Sequence, residues 1–458
     1  MKDKNVPPSI ITIYGFADFT FNMMMMIAVS YYAYFLTDIA MIGAATMGTI
    51  LLIARIGDAI SLPITGGILQ KVQLKWGQFR SWLLVTPPIT CLFFILMFTN
   101  LDMDMTLKTI FLGSCYVIAH VCVNLTNNGH FGLMGILGKT SADRISLSTK
   151  KIQFQTAANI VFSLAFMPLV AWLGGGNEGN GFLYTMVIFA VLQVVGYWNV
   201  FRVTKEYDPY DPNKKLSGTG GTGLTVKEMV QQIFGNGQLL TIMGADCIRN
   251  AAMFAVLGMA TYYFKYAVGN LALITMYMVC TNVVNFLGSL IAPFIVARLG
   301  KKSTYLLSCV IPIVAFGLVR IPASTNPFIY TALVSFASFG LTMGMAIAPA
   351  MYLDAAEYGQ YKTGKDGAAF IMAMYAMPIK IGVALSGAII GFGLSAIGYS
   401  ATVEATPDFV RGLLNIISTI PAACAAFALI LMLFYRLDDA KVKEYMEANA
   451  KRKAEAVH

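Results

Sequence analysis

Charged residues inside long apolar stretches are the first feature of this sequence that could carry chemistry. Three of them are basic and three are acidic: Arg55, Arg249, Lys380, Asp18, Asp58 and Asp246. An ion at the centre of a lipid bilayer costs at least about 2.5–3.5 kcal/mol, so such residues face a protein interior or a water-filled cavity and usually pair. Three positive and three negative charges allow complete pairing.

Two of these charge pairs have the spacing of neighbours on one helix. Arg55 and Asp58 are three residues apart, and so are Asp246 and Arg249. Side chains at this spacing meet on an α-helix. Each pair is therefore either a local ion pair that braces its helix or part of a gate or substrate site. Lys380 has no acidic neighbour in sequence, so we expect a carboxylate on another helix or an anionic substrate beside it.

A stripe of amides and imidazoles lies further along the chain. His120, Asn124 and Asn127 recur at helical spacing, and Asn128 and His130 follow. Such groups are costly in lipid unless they line a cavity or bond to a neighbouring helix. The stripe therefore indicates interhelical hydrogen bonds or a path for substrate or protons, and His130 could titrate near neutral pH.

The composition indicates the class of protein in which these residues are positioned. Of 458 residues, 57% are hydrophobic and 12% are charged, with a mean hydropathy of +0.68. Soluble proteins carry about 25% charged residues, so the chain is predicted to be a polytopic membrane protein. Twelve stretches are long enough to cross a bilayer: 10–37, 44–70, 81–100, 107–135, 152–174, 181–203, 237–264, 270–297, 303–322, 327–353, 368–398 and 409–435.

A polar segment divides the predicted spans into six and six. It predicts an N-terminal bundle over 1–203, a linker over 204–236, a C-terminal bundle over 237–435 and a charged tail over 436–458. Lys and Arg concentrate in the loops after spans 2, 4, 8 and 10, with Lys150 and Lys151 counted in the second of these. The positive-inside rule then places those loops and both termini in the cytoplasm. We expect the tail to lie on anionic lipid.

Several function classes are excluded by the sequence. The net charge of +9 is scattered over short loops, which fits a membrane surface better than nucleic acid. The seven cysteines lie in apolar stretches without CxxC or metal-ligand spacing. No phosphate-binding loop or nucleophile motif is present. We therefore expect neither an enzyme nor a bound metal or cofactor.

Five motifs in order resemble one family. They are the opening YGFADFTFN (Tyr14–Asn22), ARIGDAISLP (Ala54–Pro63), WGQFR (Trp76–Arg80), DAAEYGQYKTGK (Asp354–Lys365) and the isolated Lys380. This set is similar to that of the glycoside–pentoside–hexuronide:cation symporters, the melibiose-permease branch of the major facilitator superfamily. The resemblance implies an all-α membrane protein with 12 transmembrane helices in two six-helix bundles.

The same resemblance implies a function. The chain would be a monomeric secondary transporter of the inner membrane, which moves a glycoside, sugar or hexuronide together with a cation by alternating access. An alternative stays open: an exporter or exchanger of an amphipathic non-sugar molecule, to which the run Met23–Met26 and the altered fourth span would be suited.

The resemblance also places the cation site. Asp58 matches the family's first carboxylate on span 2, whereas Leu62 stands where the second belongs. Ser61 and Asn124 still offer oxygen, and Arg55 and Lys380 supply counter-charges. Loss of one carboxylate weakens a Na⁺ site, while a lone buried aspartate can bind and release a proton. We therefore expect H⁺ rather than Na⁺, with an uncoupled facilitator as the remaining alternative.

Substrate and gate residues follow in the same way. The expected substrate site comprises Asp18, Asn22, Asn127, Asn128, His130, Phe131, Arg249 and Lys380. Amides and an aromatic face suit sugar hydroxyls and rings, and the cations suit a uronate. The expected cytoplasmic gate comprises Arg80, Asp143, Arg144, Asp354, Glu357 and Lys362.

Overall fold

A computed structural model describes residues 6–138, 141–211, 231–320, 326–365 and 367–455. It divides into two compact units, Met1–Gly220 and Gly221–His458, and the boundary falls inside the predicted linker.

The N-terminal unit is a bundle of six helices. They are α1 (Pro8–Tyr34), α2 (Ala44–Lys71), α3 (Trp82–Met97), α4 (Met105–Leu137), α5 (Ser141–Gly174) and α6 (Glu178–Val203). Local signals begin several of them: Pro8 is at the first position of α1, and the Asp104 carboxylate accepts from two backbone N–H groups at the start of α4. Such caps satisfy N–H groups that have no partner inside the helix.

The C-terminal unit repeats this plan and adds a tail helix. Its elements are α7 (Gly237–Tyr262), α8 (Leu273–Leu299), α9 (Lys301–Val319), α10 (Pro327–Thr363), α11 (Ala368–Met374), α12 (Ala376–Ala396), α13 (Pro407–Leu433) and α14 (Asp439–Glu455). The predicted eleventh span is thus built from α11 and α12 together, and α14 forms the tail.

The predicted membrane architecture is confirmed. Within the described residues, ten helices are long and apolar enough to cross a bilayer. The remaining two of the twelve predicted spans correspond to α3 and α2. Helix α3 has 16 residues, and α2 has 28 residues and contains Arg55 and Asp58. Each unit therefore supplies six membrane helices.

One helix begins earlier than the sequence suggested. Span 5 was expected to start at residue 152, with Lys151 in the preceding loop. The structure instead starts α5 at Ser141 and continues it for 34 residues. Lys151 therefore lies on the helix, about three turns from its start, and its side chain belongs to the bundle rather than to a loop.

The first helix of each unit ends in the same irregular way. The N–H of Ala40 bonds to the carbonyl of Phe35 at 2.8 Å, and the N–H of Val268 bonds to that of Tyr263 at 3.1 Å. These five-residue steps form π turns at Phe35–Ile39 and Tyr263–Ala267. Buried tyrosines surround both turns: Tyr31, Tyr32, Tyr34, Tyr262 and Tyr263.

Candidate functional site

The Asp18 carboxylate forms the centre of a polar cluster in the N-terminal unit. It lies on α1 and is 2% exposed. The Lys151 ammonium on α5 lies 2.8 Å from its Oδ1, and Nδ1 of His130 on α4 lies 3.7 Å from its Oδ2. Three helices therefore converge on one carboxylate, and a lysine that sequence reasoning had assigned to a loop is its ion-pair partner.

A glycine explains how α1 and α5 approach closely enough for this pair. A Cβ built on Gly15 would lie 2.8 Å from the Phe154 ring and 3.1 Å from the Lys150 backbone. A larger residue would push α5 away, because atoms do not approach that closely without movement. Gly15 and Asp18 are three residues apart and share a face of α1. The glycine in the opening motif thus permits the contact that the aspartate makes.

His130 is enclosed within the N-terminal unit. It is fully buried, and its ring lies 3.9 Å from the Tyr14 ring and 5.4 Å from the Tyr197 ring, centroid to centroid. The Tyr14 hydroxyl donates to the His130 carbonyl at 2.9 Å. Among the described residues, neither ring nitrogen of His130 has a hydrogen bond. Among the same residues, Asp18 is the only side chain at ion-pair distance from the His130 ring.

The more accessible side of the cluster carries amides and an aromatic ring. The Asn22 amide donates to the Asp18 carbonyl at 2.7 Å and accepts from Gln155 at 3.3 Å. Phe131 is 49% exposed, and the Lys151 ammonium lies 4.1 Å from its ring centroid. One lysine therefore touches both the carboxylate and the aromatic face that were expected to bind substrate.

A second cluster joins α2 to α4. The Asn124 Nδ2 donates to Asp58 Oδ1 at 2.6 Å and lies 2.7 Å from Ser61 Oγ. Arg55 Nη1 is 3.6 Å from Asp58 Oδ2, and its guanidinium lies 5.3 Å from the Tyr116 ring. The structure thus brings together the four residues of this unit that were expected at the cation site.

The two remaining amides of the stripe, Asn127 and Asn128, are adjacent on α4. Asn128 is half-buried and donates to Thr65 Oγ1 on α2 at 2.9 Å. It therefore extends the α2–α4 contact rather than joining Asp18. Asn127 is half-buried on α4.

The C-terminal unit contains a buried ion pair of its own. Arg249 and Asp246 on α7 are each 1% exposed, with Arg249 Nη2 3.0 Å and Nε 3.2 Å from Asp246 Oδ1. The Tyr305 hydroxyl on α9 donates to the same oxygen at 2.7 Å. Arg249 Nη1 donates to the Leu341 carbonyl on α10 at 2.9 Å. Arg249 is thus bonded inside its own bundle, while Lys380 is half-buried on α12.

The predicted gate residues of the C-terminal unit lie near the end of α10. Lys301 Nζ, at the start of α9, is 2.7 Å from Asp354 Oδ1. Glu357 accepts from Asn449 of the tail helix at 3.0 Å. Lys362 Nζ donates to the Gly235 carbonyl at 2.8 Å.

Arg80, a predicted gate residue of the N-terminal unit, lies in a loop that is bonded to a linker residue. Asp208 accepts from the backbone N–H groups of Gln78, Phe79 and Arg80, at 3.2, 2.7 and 2.9 Å. The Arg80 guanidinium stacks 4.3 Å from the Phe201 ring. Burial lowers the pKa of Arg80, while Asp208 acts in the opposite direction. Sequence reasoning had treated Asp208 only as part of a flexible linker.

Asp143 and Arg144 complete that set. Asp143 Oδ1 accepts from the Val6 N–H at 3.2 Å, which attaches the chain before α1 to the start of α5. The side chain of Arg144 lies outside what the structure describes.

Comparisons with known proteins agree with this architecture. A family model described as MFS/sugar transport protein matches residues 13–439. The isoprimeverose transporter of Lactiplantibacillus pentosus is 26% identical over 96% of this chain and 90% of its own. The glucuronide carrier protein homolog of Escherichia coli is 26% identical over 93% and 91%.

A solved structure supports the fold independently. The crystal structure of a bacterial homolog of the human lysosomal transporter Spinster matches with a TM-score of 0.68 at 12% identity, covering 96% of this chain and 97% of that one. The family model and the two transporter relatives confirm the family indicated by the five motifs. The chain belongs to the MFS/sugar transport protein family and is a multi-pass membrane transporter with the major facilitator fold.

Proposed function

We propose that the chain is a proton-coupled symporter of a sugar-type substrate in the cell membrane, that it works as a monomer by alternating access, and that it accepts substrates with an acidic group such as hexuronides. The relatives named for isoprimeverose and glucuronide support the substrate class. The two clusters of the N-terminal unit support the coupling ion and the acidic group.

The choice of proton is supported by the atoms around Asp58, and this is the observation on which the proposal mainly rests. Na⁺ requires several oxygen ligands, as hard cations do. Here the Asn124 nitrogen, a hydrogen-bond donor, lies 2.6 Å from the Asp58 carboxylate and 2.7 Å from Ser61 Oγ. The position between these oxygens is thus occupied by a donor. A proton on Asp58 needs no further ligands.

Protonation of Asp58 would also change its neighbours. In the charged form, Asp58 is compensated by Arg55 at 3.6 Å and by Asn124. In the neutral form, the attraction between Asp58 and Arg55 is lost, because a Coulomb term requires both charges. Arg55 then rests mainly against the Tyr116 ring, 5.3 Å away. Binding of a proton would therefore weaken the ion pair within α2, and with it the charge-assisted hydrogen bond that Asn124 on α4 donates to Asp58.

The substrate preference is supported by Lys151. Its ammonium contacts Asp18 and the face of Phe131, so a sugar ring that stacks on Phe131 must meet a positive charge. A substrate carboxylate can pair with that charge and would compete with Asp18 for it. Asn22 and Gln155 remain as partners for hydroxyl groups. A hexuronide presents a carboxylate, hydroxyls and a ring face, which are the three features this cluster matches.

The test is uptake into proteoliposomes that contain the purified protein. The panel compares neutral glycosides, hexuronides and amphipathic aglycones, each with an imposed H⁺ gradient, an imposed Na⁺ gradient or neither. We expect accumulation of a hexuronide driven by H⁺ and not by Na⁺. Accumulation driven by Na⁺ alone would overturn the coupling, and transport of aglycones alone would favour the amphipathic substrate class.

A further inference from the structure

The tail helix α14 is attached to the C-terminal bundle along one stripe of side chains. Val442, Tyr445 and Asn449 recur at helical spacing. Val442 is 5% exposed within the apolar core of this unit, and Asn449 is 4% exposed. The Tyr445 ring lies 5.5 Å from that of Tyr358 and 4.7 Å from that of Tyr361. The tail therefore packs on α10 as part of the fold.

Its polar contacts are made with the last turns of α10. Asn449 Nδ2 donates to both the carbonyl and the Oε2 of Glu357, each at 3.0 Å. Arg452 Nη1 donates to the Tyr361 carbonyl at 2.6 Å. Because α10 ends at Thr363, Tyr361 has one of the carbonyls that lack a partner within the helix. A cation at a helix C-terminus is also favoured by the helix dipole.

The tail also reaches the other carboxylate of the predicted gate. Lys301 Nζ lies 3.2 Å from Asp439 Oδ1 and 2.7 Å from Asp354 Oδ1. One lysine at the start of α9 is therefore shared between a carboxylate of α10 and the first residue of α14. Together with Asn449, this contact means that α14 touches the environment of both Asp354 and Glu357.

We propose that α14 positions these two carboxylates for the transport cycle, with Asn449 and Asp439 as positioning residues; this rests on the proposed transport function. Asn449 fixes the orientation of the Glu357 carboxylate, and Asp439 competes with Asp354 for Lys301. When the end of α10 moves, α14 must move with it or release it. The tail therefore influences how fast the carrier turns over rather than how tightly it binds substrate.

The experiment reverses the donor and acceptor of one hydrogen bond. Asn449→Asp removes the donor and places a second carboxylate beside Glu357, and adding Glu357→Gln restores a donor opposite an acceptor. Lys443→Ala, on the exposed face of α14, is the matched control. The readouts are hydrogen exchange of residues 354–363 in nanodiscs, and Vmax and KM of uptake.

We expect Asn449→Asp to speed exchange in this segment about tenfold, the factor that about 1.4 kcal/mol of lost stabilisation gives. Vmax should change at least about threefold while KM stays within about twofold, since substrate contacts are unaffected. The double variant should restore both readouts.

Unchanged exchange, or a double variant that behaves like Asn449→Asp, would overturn the proposed contact. Faster exchange with unchanged Vmax would reduce the tail to a structural role and would also overturn the proposal. A wild-type protein that transports none of the panel would contradict the proposed function instead, and the exchange measurement would still decide whether α14 holds the end of α10.

Discussion

Lys151 Nζ lies 2.8 Å from Asp18 Oδ1, and the same ammonium lies 4.1 Å from the centre of the Phe131 ring. One cation of the N-terminal unit therefore contacts both an acidic and an aromatic partner at the expected substrate site. A substrate that approaches either partner therefore meets the Lys151 charge.

Replacing Lys151 should separate acidic from neutral substrates. Lys151→Gln keeps a polar side chain but removes the charge, so the KM for a hexuronide should rise at least about tenfold, as expected for a lost hydrogen bond to a charged group. Lys150→Gln on the preceding residue is the control. The double variant with Asp18→Asn should still discriminate against the hexuronide. Equal effects on neutral and acidic substrates would contradict the assignment.

Removing the charge of Asp58 should uncouple transport. Asp58→Asn has the same shape but cannot take up a proton at this position, so accumulation against a gradient should be lost while exchange of labelled for unlabelled substrate continues. Both are measured in the same proteoliposomes. Ser61→Ala, which removes a hydroxyl that donates to the Asp58 carbonyl at 2.8 Å, should keep accumulation. Concentrative uptake by Asp58→Asn would show that the proton binds elsewhere.

Breaking the buried pair of α7 should destabilise the C-terminal unit. Asp246→Asn leaves the Arg249 charge uncompensated, and breaking a buried pair in this way costs about 3–5 kcal/mol. Thermal unfolding in detergent should show a clear loss of Tm for this variant. Asp246→Leu combined with Arg249→Met removes both charges and should recover most of it. Transport by that double variant would exclude Arg249 as a substrate ligand; an unchanged Tm of Asp246→Asn would contradict the buried pair.

Removing the Asp208 carboxylate should loosen the loop after α2. Asp208→Ala leaves three backbone N–H groups without their acceptor, so proteolysis and hydrogen exchange over residues 74–80 should accelerate. Asp208→Asn keeps one acceptor oxygen and should have a smaller effect, and Glu206→Ala, which is exposed, should have none. Equal protection of the loop in all three variants would be incompatible with this account.

Short-range features of the sequence predicted the structure best. Arg55–Asp58 and Asp246–Arg249 both form ion pairs, because spacing of three residues brings side chains together wherever a helix forms. The twelve spans were predicted from hydropathy, because a bilayer requires long apolar helices.

Contacts between distant segments do not follow from local spacing in the sequence. Its charge was the reason for assigning Lys151 to a loop. Its pairing with Asp18 depends on the close packing of α1 and α5 at Gly15. Asp208 contacts a loop about 130 residues earlier in the chain. The tail helix did carry a signal: the stripe of Val442, Tyr445 and Asn449 indicates a helix with one packed face.

The π turns after α1 and α7 change the helical register of the chain that follows them. A π turn contains one residue more than the α-helical turn it replaces, so each is equivalent to an inserted residue. Phe35–Ile39 and Tyr263–Ala267 occupy the same place in the two units, at the end of the first helix. Each unit therefore offsets the chain after its first helix by one residue, about 100° of helical rotation relative to a continuous α-helix.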